Sequence, residues 1–189
     1  MNKTIYLLKI GKVPQSILLG LMKNLDIEFK EFNIKVEILK EGIKLRKKYF
    51  NSIRNQYKAI QILNILEKKA KNWEIFKLLG ITGKDIYSKD KNFIFGLAKR
   101  GSYAALISLP RLRENFYIES GTAYRKTETK EDFNTRVLKE AKHELGHTFG
   151  LKHCHNTCVM QFSNSLADTD KKPVEFCETC ITELKILLS

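Results

Sequence analysis

Only three prolines and one tryptophan occur among the 189 residues, and the sequence holds no internal repeat, no low-complexity tract and no evident linker. Division into separately folding domains is therefore not expected, and the length suffices for one globular core. No apolar stretch approaches the roughly 20 residues of a membrane-spanning helix, so no membrane partner is expected. The opening MNKTIYLLKIGKVP has an apolar run too short for a secretion signal and no small-residue cleavage site, which leads to the expectation of a cytoplasmic protein. No cysteine occurs before position 154. A disulfide framework would staple distant parts of a small chain, so this placement favours metal binding instead.

Acidic residues are in deficit: 21 Asp and Glu face 34 Lys and Arg, a formal net charge of +13. Such a charge attracts polyanions through long-range, salt-screened steering. The lysines are spread over most of the chain, however, with short clusters at residues 44–48 and 67–71 that suit solvated faces. A generically basic surface is the simpler reading, and nucleic acid is not expected as a partner.

What is present is an ordinary globular composition, 43% hydrophobic and 29% charged, whose apolar spacing assigns elements. Residues 4–10 (TIYLLKI) are β-rich, and residues 14–29 place Ile17, Leu18, Leu21, Met22 and Leu25 at helical spacing. Residues 33–40 alternate through Ile34, Val36 and Ile38 as a half-buried strand does. Helical spacing returns from Ile53 through Tyr57, Ile60, Leu63 and Leu66 to Ala70, followed by strand-like WEIFKLLGI with turn signals at Gly80 and Thr82-Gly83. Residues 93–98 and 103–109 read as short strands and 111–130 as a loop. Residues 130–149 read as one helix ending at Gly150, and 177–188 as a short amphipathic helix. The order predicts an α/β (α+β) fold of three layers with a mixed sheet. One domain covers 1–189, with an N-terminal subdomain of about 1–150 and a C-terminal, zinc-stabilised subdomain of about 151–189.

The chemistry concentrates in residues 143–154, HELGHTFGLKHC. His143 and His147 stand at i and i+4, on one side of a helix, where two ring nitrogens can share a zinc ion. Glu144 is one residue round from a ligand, placed to take a proton from water without occupying the metal. Were the helix to continue, His153 would lie about 9 Å further along its axis and could not reach the same ion. Gly150 resolves this, because glycine readily adopts the backbone that ends a helix and lets the chain turn back. Three histidines leave one coordination position open, the ligand count of a catalytic zinc. Three of the four histidines in the chain are used in this motif.

The cysteines form two close pairs, Cys154-x3-Cys158 and Cys177-x2-Cys180, enough for a closed, tetrahedral, structural zinc. Two disulfides are the competing chemistry, and His155 is read as a bystander. Two zinc ions per chain are thus expected, one catalytic and one structural.

HELGHTFGLKH is similar to the extended metzincin signature, and with its cysteine-rich continuation the chain resembles the archaemetzincins. LGITGKDIY (79–87), NFIFGLA (92–98), ISLPRLR (107–113) and CVMQFSNSLADTD (158–170) carry the same resemblance along most of the chain. It implies a metzincin fold, a catalytic and a second zinc, and a methionine turn beneath the histidines, with Met160 as the methionine. One departure is that three residues, His155, Asn156 and Thr157, separate the first two cysteines where four are expected.

These readings predict a zinc-dependent metallopeptidase acting on peptides or proteins as a monomer, with a zinc-activated water and Glu144 as general base. The strand near residues 103–109 is expected to receive an extended peptide by edge pairing. Tyr117 and Tyr124 are candidate oxyanion stabilisers, with ordinary packing as their plainer role. The rival readings are a metzincin-fold protein that binds peptides with little turnover, and a basic zinc module contacting nucleic acid. The latter gives no account of Glu144 or His153.

Overall fold

The computed structural model describes residues 3–119, 121 and 129–189. Its strands are β1 (Lys3–Ile10), β2 (Ile34–Ile38), β3 (Phe50–Asn51), β4 (Gln56–Lys58), β5 (Lys77–Thr82), β6 (Ile86–Tyr87), β7 (Gly96–Ala98) and β8 (Ala104–Ser108). Its helices are α1 (Gln15–Phe29), α2 (Ala59–Asn72), α3 (Glu114–Glu119), α4 (Lys130–Phe149), α5 (Leu166–Lys171) and α6 (Glu178–Leu188).

The main sheet runs β2-β1-β5-β8-β7, parallel except for β7, which pairs antiparallel with β8. Successive side chains of a strand point to opposite faces, and here both faces are apolar, as in a sheet covered on both sides. Ile5, Leu7, Leu79, Ile81, Ala105 and Ile107 join the core beneath α1 and α4. Leu8, Ile10, Leu78, Ala104 and Leu106 join the core beneath α2. The result is the three-layer mixed α/β fold that the element order predicts. Leu151, Met160, Phe176 and Leu184 share the α1/α4 core, so the segment after the histidine motif packs on the same sheet. Among the described residues, no helix is long and apolar enough to cross a membrane.

Several expectations need correction. The helix expected from Ile53 begins at Ala59: Ile53 stands between β3 and β4, 97% exposed, and its helical spacing is coincidental. The strand expected over 93–98 is regular only at residues 96–98, and the loop after Arg111 contains α3. The strand at 103–109 forms as β8 but is paired on both sides, by β5 and β7, so its edges are not free. On that side of the sheet the edge strand is β7.

Candidate active site

Helix α4 delivers two of the candidate ligands, and its ends are built into the sequence. Thr129 caps it: Thr129 Oγ1 accepts the Asp132 N–H while the Asp132 carboxylate accepts the Thr129 N–H, and Glu131 adds negative charge to the first turn. At the other end Gly150 adopts φ 122°, a region closed to most side chains. There the Gly150 N–H reaches the His147 carbonyl at 3.0 Å and the Leu151 N–H the Gly146 carbonyl at 3.0 Å. This is the Schellman arrangement that ends a helix and redirects the chain.

The redirection brings His153 back. Its ring centroid lies 5.2 Å from that of His143 and 4.8 Å from that of His147, and one ring nitrogen from each histidine falls within 4.8 Å of the others. His143 Nδ1–H donates to the Val159 carbonyl and His147 Nδ1–H to the Leu151 carbonyl, each at 2.9 Å, which turns both Nε2 atoms to the common point. These two Nε2 atoms stand 3.2 Å apart. Nitrogens at ~2.0–2.1 Å from one tetrahedral ion are ~3.3 Å apart, so the donor set fits zinc. Burial holds the His143 imidazole well below its ordinary pKa, and burial likewise lowers His147 and His153; all three are therefore in the neutral, ligating form at pH 7.

The four cysteines form a second group. They are free thiols with all Sγ atoms within 4.8 Å of one another, and Cys154 and Cys177 are 3.7 Å apart, near the ~3.8 Å edge of a tetrahedron with ~2.3 Å zinc–sulfur bonds. Cys158 Sγ accepts the N–H groups of Met160 and Cys177 at 3.4 and 3.3 Å. Burial alone would raise the Cys177 thiol. The N–H of Cys180 and the side chains of Asn156 and Cys154 outweigh it and pull the thiol down to about 6, favouring the metal-binding thiolate. His155 is exposed and joins neither donor set.

The histidines open onto a cleft of about 240 Å³ whose walls include residues 93–98, Glu140, Glu144, Ser163 and Lys172. Glu144 is only 5% exposed, and its Oε2 is buried without a hydrogen-bond partner. Burial pushes its carboxyl well above the usual carboxylate range, the neighbouring Glu140 pushes the same way, and the Lys172 ammonium opposes both. The backbone of β7 lies against this side chain: a Cβ on Gly96 would come within 2.6 Å of Glu144 Cγ. Met160 is fully buried beneath the helix, its Sδ 2.4 Å from where a Cβ on Gly146 would sit.

Tyr117 is absent from the cleft, its hydroxyl donating to the Arg111 carbonyl at 3.0 Å, and Tyr124 lies outside the described residues. Glu140, Ser163 and Lys172 are among the cleft residues that were not anticipated. Glu140 stands at i−4 from Glu144, on the same helical face, a signal the sequence did contain. Lys172 and Ser163 arrive from a separate segment and left no periodic trace.

Three comparisons bear on this geometry. The model of peptidase family M54 matches residues 1–186. Among curated proteins, the archaemetzincin of Pyrococcus furiosus is 38% identical over 187 residues, covering 98% of this chain and 94% of that protein. That of Archaeoglobus fulgidus is 42% identical over 156 residues, covering 82% and 85%. Among solved structures, A. fulgidus archaemetzincin complexed with malonate superposes with TM-score 0.77 at 39% identity, over 95% of this chain and 99% of that one. Methanopyrus kandleri archaemetzincin gives TM-score 0.82 at 32% identity, over 99% and 96%.

Proposed function

The chain belongs to peptidase family M54, the archaemetzincins, and is a zinc metallopeptidase; from that premise we propose that it hydrolyses peptide bonds with Glu144 as general base. His143, His147 and His153 would hold the catalytic ion, and Cys154, Cys158, Cys177 and Cys180 a second, structural one. When bound in the three-histidine set, zinc supplies a Lewis acid that polarises the scissile carbonyl and acidifies water. Glu144 takes the proton of the attacking water at its unpartnered Oε2 and passes it to the leaving amine. The cleft wall excludes bulk water from that carboxyl. The outer edge of β7 receives an extended peptide by strand pairing, running past Glu144 at Gly96.

The observation that carries this reading is the convergence of three neutral imidazoles and one buried, unpartnered carboxylate oxygen in a single cleft. Zinc-loaded protein incubated with a diverse peptide library should generate cleavage products that a chelator abolishes. Absence of products at every peptide, with both donor sets metal-loaded, would count against turnover and for a protein that binds peptides only.

A further inference from the structure

Glu140 and Glu144 lie one turn apart on the same side of α4, 4% and 5% exposed, and both line the one cleft. Two acidic groups held together inside a protein repel when both are charged, so neither keeps a fixed place unless a cation or a shared proton holds the pair. The cation is present. Lys172 is 2% exposed, lines the same cleft, and sets its Nζ 3.7 Å from Glu140 Oε2. That separation is an ion pair but too long for a hydrogen bond, and Nζ has no hydrogen-bond partner.

The backbone that carries Lys172 is fastened to the helix that carries the carboxyl pair. Arg136 holds the Asp170 carboxylate at 2.6 Å, and Lys139 Nζ donates to the carbonyls of Thr169 and Asp170 at 3.0 and 2.9 Å. The Lys172 N–H in turn closes α5 on the Asp168 carbonyl at 3.2 Å. Residues 136, 139 and 140 therefore lie on one side of α4 and fix the ammonium relative to Glu144, one turn further on. An ion pair serving stability alone normally satisfies its buried N–H groups. Here Lys172 Nζ, Glu144 Oε2 and Ser163 Oγ, three buried atoms without partners, all belong to residues lining the one cleft.

We propose that Lys172 is a positioning residue of the peptidase site: its ammonium, anchored on Glu140, holds the Glu140–Glu144 pair so that the free oxygen of Glu144 stays aimed into the cleft. The inference rests on the reading of Glu144 as the base.

The test compares wild type, Lys172→Met, Lys172→Arg, the double variant Glu140→Met/Lys172→Met and Glu144→Ala, all full-length and zinc-loaded. Zinc content, kcat and KM on a peptide that wild type cleaves, and the Kd of acetohydroxamate are measured. This small chelator hydrogen-bonds a carboxylate beside the metal, so its affinity reports the placement of Glu144 without turnover. Lys172→Met should keep its zinc, lose about tenfold to a hundredfold in kcat with KM within about threefold, and weaken acetohydroxamate about tenfold. Lys172→Arg should recover most of both. The double variant leaves no unpaired buried charge and so removes any purely structural penalty, yet it should stay slow and weak in binding. Wild-type kcat and acetohydroxamate affinity in the double variant, or in Lys172→Met, would overturn the proposal. A Glu144→Ala enzyme cleaving at the wild-type rate would instead overturn the base reading beneath it.

Discussion

The two donor sets of this protein sit a few residues apart in sequence, His153 next to Cys154, and differ in every respect that matters for chemistry. The cysteine set has four sulfurs within 4.8 Å of one another, enough to close a tetrahedral coordination, and Cys158 Sγ also accepts two backbone N–H groups. The histidine set has three nitrogens, its third member exposed, and borders a cleft with unpartnered polar atoms. The difference teaches that ligand number and the polar atoms left without partners separate a donor set able to close a metal's coordination from one that leaves a position open.

The sharpest way to break this comparison is at Glu144. Glu144→Ala should leave both zinc ions and the fold intact and lower peptide cleavage by about 10²- to 10⁴-fold. His147→Ala should instead lose one of the two ions together with activity, and metal analysis beside peptide cleavage separates the two outcomes. Next in size is the closed set. Cys177→Ser removes one of four thiolates from a site whose binding energy, ~10–16 kcal/mol in small zinc-dependent domains, is folding energy, so a loss of roughly 3 kcal/mol is expected in denaturant unfolding. Unchanged stability and zinc content would show that the cysteines hold no metal.

A mild chelator should draw out the difference in exposure. Protein with reduced thiols is expected to contain two zinc ions per chain, and the ion at the three-histidine set should leave about tenfold faster than the one at the closed set. A reproducible content of one ion would refute the pair of sites. The smallest effect is on pH. Once the histidine set alone has been stripped, burial keeps its imidazoles below their unfolded pKa of about 6.5. As pH falls through 6.5, the unfolded chain takes up protons that the folded one refuses, so stability must fall with pH below that value. Thermal unfolding between pH 7 and pH 5 should show this slope, and His143→Gln should flatten it.

The helix over residues 130–149 was legible to its last residue because its histidine spacing and its terminal glycine are local signals. The seven candidate donors were legible for the same reason, since they lie within one stretch of chain between His143 and Cys180. What was not legible depends on contacts between distant segments. β7 and β8 are both short and apolar, and only the pairing order decides which of them keeps a free edge. Lys172 looked like one more basic residue on a basic surface. Its burial against Glu140 follows from the Arg136 and Lys139 contacts to α5, which no periodicity announces.

All strands of the sheet precede residue 109, whereas every candidate metal donor follows residue 142. A chain made from its N-terminus therefore holds every strand of this sheet before it holds any candidate donor, and gains the covering helix α4 together with the first two histidines. His143 and His147 cannot be joined by His153 until the turn after Gly150 has been translated, and the cysteine set must wait for Cys180. In order of translation, therefore, the sheet comes first and the candidate donors come last.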